Sequence, residues 1–460
     1  MRADTESMRG SRAPAGRGTG RGEWTRRGGR FVSLALMLFS GAVAAVPKIE
    51  HWTLDNGAGV YFVRTPELPL VQMRVVFDAG ASRDLVEKPG VALMTNAMLR
   101  QGAAGSSADE IASGFESLGA VLNTSADRDM AIVELQSLSD PKLLNPALDL
   151  LAKVIARPTF PEDALQRERN RALVALQRDA QLPDVIAEKA FWRTAYGGHA
   201  YAHDPIGTPE SLRAITRADV AAHHARYYVG SNAWVAIVGN LTSTEAKSVA
   251  QRALGSLTRG ESPPPVPGVP AVATTRREVV NFPAQQSHVR LGHPGIRRTD
   301  PDYFPLVVGN YTLGGGGLVS RLAEEVREKR GYSYNVYSYF SAMKVEGPFT
   351  LGLQTKNAQR DDAVKVAREV LADFVEHGPT PKELEAAKRH LTGSFPLRLD
   401  SNKKIAENVA AIAFYGLPLN YLDTYVANVE AVTIDQIRSA FKRHVHPNDA
   451  TVVYVGGRAG

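Results

Sequence analysis

Two stretches of this chain lie over one another without a gap: TRADVAAHHARYYVGSNAWVAIVG, Thr216 to Gly239, and TIDQIRSAFKRHVHPNDATVVYVG, Thr433 to Gly456. With Thr216 laid on Thr433, Val220 falls on Ile437, Ala233 on Ala450, Val235 on Val452, Val238 on Val455 and Gly239 on Gly456. Each stretch reads as a short amphipathic helix, a turn and an alternating strand. Like residues at six positions in one ungapped register indicate an internal duplication. The period, about 200 residues, is too long for a solenoid.

Outward from these stretches, each half opens on strands. HWTLDNGAGVYFVR and VQMRVVFDAG start the first, and QQSHVRLGHPG starts the second. Helical runs follow, including Pro161–Asp179 and Lys382–Arg398. Strands followed by helices in this order predict an α+β chain of two homologous domains, each with helices packed on a mainly antiparallel sheet. The stretch TRGESPPPVPGVPAVATT, Thr258 to Thr275, is too rich in proline and glycine for a regular element and predicts an extended, semi-stiff linker. The expected domains are therefore 46–257 and 276–460, with the linker at 258–275.

Residues 1–45 differ from the rest. Eight arginines and three acidic residues give 1–30 a balance of +5, against +6 for the whole chain, so the remainder is close to neutral. A basic chain-wide charge is thus no sign of nucleic-acid binding, and none is expected. The apolar run FVSLALMLFSGAVAA, Phe31 to Ala45, falls short of the ~20 residues of a membrane span and ends in small residues. It reads as a signal peptide, with Ala42-Val43-Ala44 as the cleavage pattern. Export to the periplasm is expected, with tethering to the membrane if the signal stays uncut. There are no cysteines, which excludes disulfides, thiolate metal sites and cysteine nucleophiles.

Four features together resemble the insulinase/pitrilysin-type zinc peptidases: GASRD at Gly80–Asp84, a helix opening at Gly90, YGGHAYAHDPIGTPESLRAIT at Tyr196–Thr216, and the duplication. That family carries an inverted H-x-x-E-H motif in a frame G-x-A-H-x-x-E-H-M-L-F. Two His hold zinc, and the Glu activates the metal-bound water. In GVALMTNAMLRQG, Gly90 to Gly102, the frame residues Gly90, Ala92, Met98 and Leu99 are present. The ligand positions hold Leu93 and Ala97, and the base position holds Asn96. Alkyl groups donate no lone pair, and an amide takes no proton from water at neutral pH. The later stretch where the family places its third ligand, Arg171–Gln177, has no carboxylate. No metal is expected in this chain. His199, His203, His223 and His224 lack a companion carboxylate pattern and read as hydrogen-bonded histidines.

The second half keeps what the first lacks. In YTLGGGGLVSRLAEEVREKRGYSYNVYSYF, Tyr311 to Phe340, Gly314, Gly315, Gly316 and Gly317 predict a mobile or closely approached loop. An amphipathic helix with Leu318, Leu322 and Val326 on one face and an aromatic strand are expected to follow. The resemblance implies that an Arg on this helix and a Tyr seven residues later hold substrate, and Arg327 and Tyr334 match that spacing. It also implies a heterodimer, in which a homologous H-x-x-E-H subunit carries the zinc and this chain contributes contacts to a peptide or unfolded substrate. The alternative is a scaffold or peptide-binding protein of the same fold. No P-loop, nucleophile elbow or dinucleotide fingerprint supports a different enzyme class.

Overall fold

The computed structural model describes residues 48–270 and 276–457, so the expected signal segment lies outside the described residues. In the first half the strands are β1 (Glu50–Thr53), β2 (Gly59–Arg64), β3 (Leu70–Phe77), a small ribbon of β4 (Gly102–Ala103) and β5 (Ser106–Ser107), then β6 (Val121–Ala126), β7 (Ala131–Leu138) and β8 (Ala233–Gly239). Its helices are α1 (Val91–Met98), α2 (Ala108–Ser117), α3 (Pro141–Ala156), α4 (Glu162–Asp179), α5 (Pro183–Tyr196), α6 (Pro209–Ala214), α7 (Arg217–Tyr227) and α8 (Ser243–Leu254). The second half contains β9 (Arg277–Asn281), β10 (Gln286–Ile296), β11 (Ser333–Phe340), β12 (Gly347–Lys356) and β13 (Thr451–Gly456). Its helices are α9 (Tyr303–Asn310), α10 (Arg360–His377), α11 (Pro381–Gly393), α12 (Asn402–Tyr415), α13 (Tyr421–Ala431) and α14 (Ile434–His444).

The sheets repeat one topology. The first runs β1-β2-β8-β3-β7-β6 and the second β11-β12-β10-β13-β9. Reading the second backwards, β9-β13-β10-β12-β11 matches β2-β8-β3-β7-β6 strand for strand. Each sheet is antiparallel except for one pair, β2 with β8 and β9 with β13. The register of the quoted stretches also carries Arg217, the first residue of α7, onto Ile434, the first of α14.

The halves exchange a helix. The α5 residues Ala187, Ala190, Phe191 and Ala195 pack with Val453 and Val455 of the second sheet. In return, Ile405, Val409, Ala410 and Ile412 of α12 pack with Val76, Ala236 and Val238 of the first. Each large apolar side chain so buried contributes about 1.5–3 kcal/mol, so the exchange binds the halves into one cooperative body.

The Pro-rich segment carries no helix or strand up to Pro270 and docks on the first half, and two other expectations need correction. Gly230 N–H donates to Thr258 O at 2.7 Å, Ser231 N–H donates to Arg259 O at 2.8 Å, and Val266 is buried. Extended proline-rich backbone leaves its carbonyls free to accept such bonds. The helix expected over Lys382–Arg398 ends at Gly393, and Pro396, which lacks an N–H, sits in a separate 3-10 turn, Phe395–Arg398. Finally, Leu318 is exposed and lies in a 3-10 turn ahead of the helical segment, while Leu322 and Val326 are buried as expected.

Candidate functional site

The surroundings of α1 hold the helix in place. Asp84 accepts hydrogen bonds from Gly90 N–H and Ala92 N–H, both at 2.7 Å, and so caps a helix whose N-cap residue, Gly90, has no side chain to do it. His203, from the Tyr196–Thr216 loop, contacts the same carboxylate at 3.0 Å. Gly90 has φ +102, and a Cβ there would stand 2.7 Å from Ile206 O. A Cβ on Gly207 would stand 2.2 Å from Pro89 O. The two loops therefore touch backbone to backbone, and Ser211 Oγ adds a bond to Pro89 O at 2.7 Å. Each of these contacts is independent of a metal, which explains why the frame persists without ligands.

The side chains at the ligand positions do not fit zinc. Leu93 and Ala97 are half-buried, and Asn96 is 1% exposed. Asn96 Nδ2 donates to Ile132 O at 3.2 Å and to Tyr228 Oη at 3.3 Å, tying α1 to β7 and to the end of α7. Along α4, Ala172, Leu173 and Leu176 pack against the apolar cluster of Val91, Met94 and Met98. The place of a third ligand is thus an apolar seam.

The remaining histidines are also engaged. His199 contacts Pro267 O at 2.9 Å and His224 contacts Ile155 O at 2.8 Å. Burial pulls His223 down to about 4, and it contacts Ala79 O at 3.3 Å. Among the described residues one group, Asp300, Asp302 and His444, has the types and closeness for a metal. Arg443 already grips both oxygens of Asp302 at 2.8 Å, and His444 contacts it at 2.9 Å. Arg443 thus offsets the charge of Asp302, and the geometry is that of an ion-pair cluster.

Arg327 and Tyr334 come together. Arg327 lies in a π-helical turn, Ala323–Glu328, and its guanidinium carbon is 4.8 Å from the centre of the Tyr334 ring. Tyr334 occupies a bulge: Ser333 pairs with Thr355 and Asn335 with Gln354, leaving Tyr334 the extra residue of edge strand β11. Ser333 Oγ lies 2.7 Å from both Asn335 O and Gln354 O and holds the bulge by donating its one proton to either carbonyl. Tyr334 is 82% exposed as a result. Both devices, a π turn and a bulge, re-aim side chains.

Neighbouring charges are committed elsewhere. Arg321 is held by both oxygens of Glu383, at 2.7 and 2.8 Å, and Arg330 by Glu325 at 2.6 Å. The only ion pair of Arg327 among the described residues is with adjacent Glu328. Tyr332, the other nearby tyrosine, packs against the core.

The four glycines do not form one irregular loop, since Gly314 and Gly315 end a π-helical turn, Tyr311–Gly315, and Gly317 opens the 3-10 turn Gly317–Val319, and they divide in role. Gly314 is buried, and a Cβ there would stand 2.4 Å from Ser338 Oγ, so it is a close approach to β11. Gly315 and Gly317 are exposed, Gly317 has φ +62, and Leu318 and Val319 beyond them are also exposed.

A buried polar junction escaped the reading of the sequence. Asp129 is 1% exposed and accepts from Tyr201 Oη, from Lys344 N–H at 2.9 Å and from Tyr415 Oη at 3.2 Å, the last two in the second half. Burial pushes its carboxyl up to about 6. Asp78 is gripped by Arg83 at 2.8 and 2.6 Å and also by Lys344 Nζ. The only signal was two acids flanking strands that are otherwise apolar.

Residues 60–208 match the family model described as Insulinase (Peptidase family M16), and 214–391 match the one described as Peptidase M16 inactive domain. An uncharacterized zinc protease, YmxG, of Bacillus subtilis is 27% identical over 395 residues, covering 85% of this chain and 94% of that protein. A Helicobacter pylori protein named a non-peptidase homolog is 24% identical over 429 residues, covering 93% and 98%. The crystal structure of a peptidase M16 inactive domain from Pseudomonas fluorescens is 38% identical, with TM-score 0.86, covering 90% of this chain and 98% of that one. The fold is shared with the periplasmic protease PqqL from Escherichia coli, at TM-score 0.77 and 16% identity, covering 89% of this chain and 46% of that one. The chain belongs to peptidase family M16, as a member with none of the family's metal-binding residues on its first helix.

Proposed function

We propose that this chain is the zinc-free subunit of a heterodimeric metallopeptidase. A homologous partner with an intact H-x-x-E-H helix holds the zinc, and this chain supplies Arg327, Tyr334 and the loop Gly314–Gly317 to the substrate. The observation that carries the reading is the Arg327–Tyr334 pair, presented by a π turn and a bulge with the tyrosine exposed. A planar guanidinium donates two parallel hydrogen bonds to a peptide carbonyl or carboxylate. The tyrosine hydroxyl donates to an oxygen on which negative charge develops. Exposed Gly315 and Gly317 let substrate backbone approach closely, and Leu318 and Val319 offer apolar contact beside them.

The substrate is a peptide or an unfolded segment, and the complex works in the periplasm. The basic and apolar N-terminal runs support export, as does the likeness to a protein titled a periplasmic protease. None of the helices among the described residues is long and apolar enough to cross a membrane.

The test is co-purification with an H-x-x-E-H homologue followed by metal analysis and a peptide cleavage assay. Zinc and cleavage are expected in the mixed complex and in neither measurement of this chain alone. Stoichiometric zinc with robust cleavage by the single chain would overturn the reading.

A further inference from the structure

A cavity of about 380 Å³ lies where the two halves meet, between β2 and β3 of the first and the start of α12 in the second. Gln72 on β3 lines it, is 5% exposed, and its side-chain amide has no hydrogen-bond partner among the described residues. Two more orphan groups lie in the same wall: Thr65 Oγ1 and Asn402 Nδ2 are both buried without a partner. The Gln72 amide is therefore the polar group that meets the cavity unpaired, since Thr65 Oγ1 and Asn402 Nδ2 have no exposed surface, and a ligand that pairs this amide is favoured.

Chemistry narrows the ligand. Asn402 and Lys403 are the first two residues of the 14-residue α12, so their N–H groups have no intrahelical acceptor and point out of the helix start with its positive dipole end. The Lys403 ammonium has no ion pair among the described residues, whereas Asp400 is neutralised by Lys404 at 2.8 Å. Glu67 is the one uncompensated acid of the lining, and it is exposed. This end therefore favours an anion. Leu68, Leu399 and Ile405 make the rest of the wall apolar, and the Gln72 amide presents both a donor and an acceptor.

We propose that this cavity binds the free C-terminal carboxylate of a short peptide that ends in an apolar residue. The carboxylate sits at the start of α12 beside Lys403, the last peptide bond pairs with the Gln72 amide, and the terminal side chain rests on the leucines and Ile405. The volume lies at the small end of ligand pockets and suits two or three residues. The site shares no residue with the Arg327–Tyr334 pair and stands or falls separately from it.

The test is calorimetric titration of the full chain with Ala-Ala-Leu as free acid, with its C-terminal amide, and with acetate. The wild type, Gln72→Leu and Lys403→Met are compared. Expected are saturable one-to-one binding of the acid, binding weaker by about tenfold or more for the amide, and a similar loss of acid affinity in each variant. The ligand-free Gln72→Leu protein should melt no lower than wild type, since no hydrogen bond is lost, which separates a binding role from a structural one. Lys403 is exposed, so its variant keeps the test valid even if the core substitution impairs folding. Absence of saturable binding, equal affinity for acid and amide, equal displacement by acetate, or variants that bind like wild type would each overturn the proposal.

Discussion

At the scale of single residues, Asn96 shows how a position can keep its place and change its work. Its amide bridges α1 to Ile132 O and Tyr228 Oη from a site that is 1% exposed, so it serves packing at the position where the sequence resemblance implies a base. Asp129 makes a sharper prediction. Its carboxyl is raised from 3.8 to about 6, chiefly by burial, so the folded chain holds this proton more tightly than the unfolded chain. Its ionisation therefore costs stability: the penalty is absent below about pH 3.8 and fully present once the pH has risen through about 6. The stability of wild type minus that of Asp129→Asn should fall by about 1–3 kcal/mol between pH 4 and pH 7. Denaturant titrations at the two pH values measure it, and a flat difference contradicts the assignment.

Among the elements, the turn from α9 to β11 carries the most constraint. Gly314→Ala would press a Cβ to 2.4 Å from Ser338 Oγ and 2.5 Å from its backbone N, with an expected loss of about 2–3 kcal/mol. Gly317→Ala meets no atom within 4 Å and carries only the cost of φ +62, about 1 kcal/mol. Thermal unfolding of the two variants checks the order, and a larger loss at Gly317 would refute the division of roles. The glycines were visible in the sequence, but their roles were not, because close approach depends on Ser338, far along the chain. Likewise the spacing of Arg327 and Tyr334 was legible, while the bulge that turns Tyr334 outward depends on pairing with β12. Helical periodicity groups Leu318 with Leu322 and Val326, but the backbone at Ser320 is extended and separates Leu318 from the helical segment.

For the whole molecule, the duplicated halves and mainly antiparallel sheets could be read from one register of similar residues. The exchange of α5 and α12 could not, since an apolar helix face carries no address for the sheet that it covers. This exchange predicts that 48–270 and 276–457, expressed apart, give no cooperative unfolding transition, and that mixing them restores one by circular dichroism. A half that melts cooperatively by itself would contradict the shared core. The same architecture puts Tyr334 on an edge strand of the second sheet, with Arg327 of the preceding π-helical turn against its ring, and the proposed role of this pair in a two-chain complex is open to direct test. The most direct measurement is peptide turnover by the complex with an H-x-x-E-H partner, carrying wild type, Arg327→Ala or Tyr334→Phe. The account predicts unchanged assembly and a fall in kcat/KM of roughly tenfold or more in each variant; turnover equal to wild type in both would contradict it and leave this chain a scaffold.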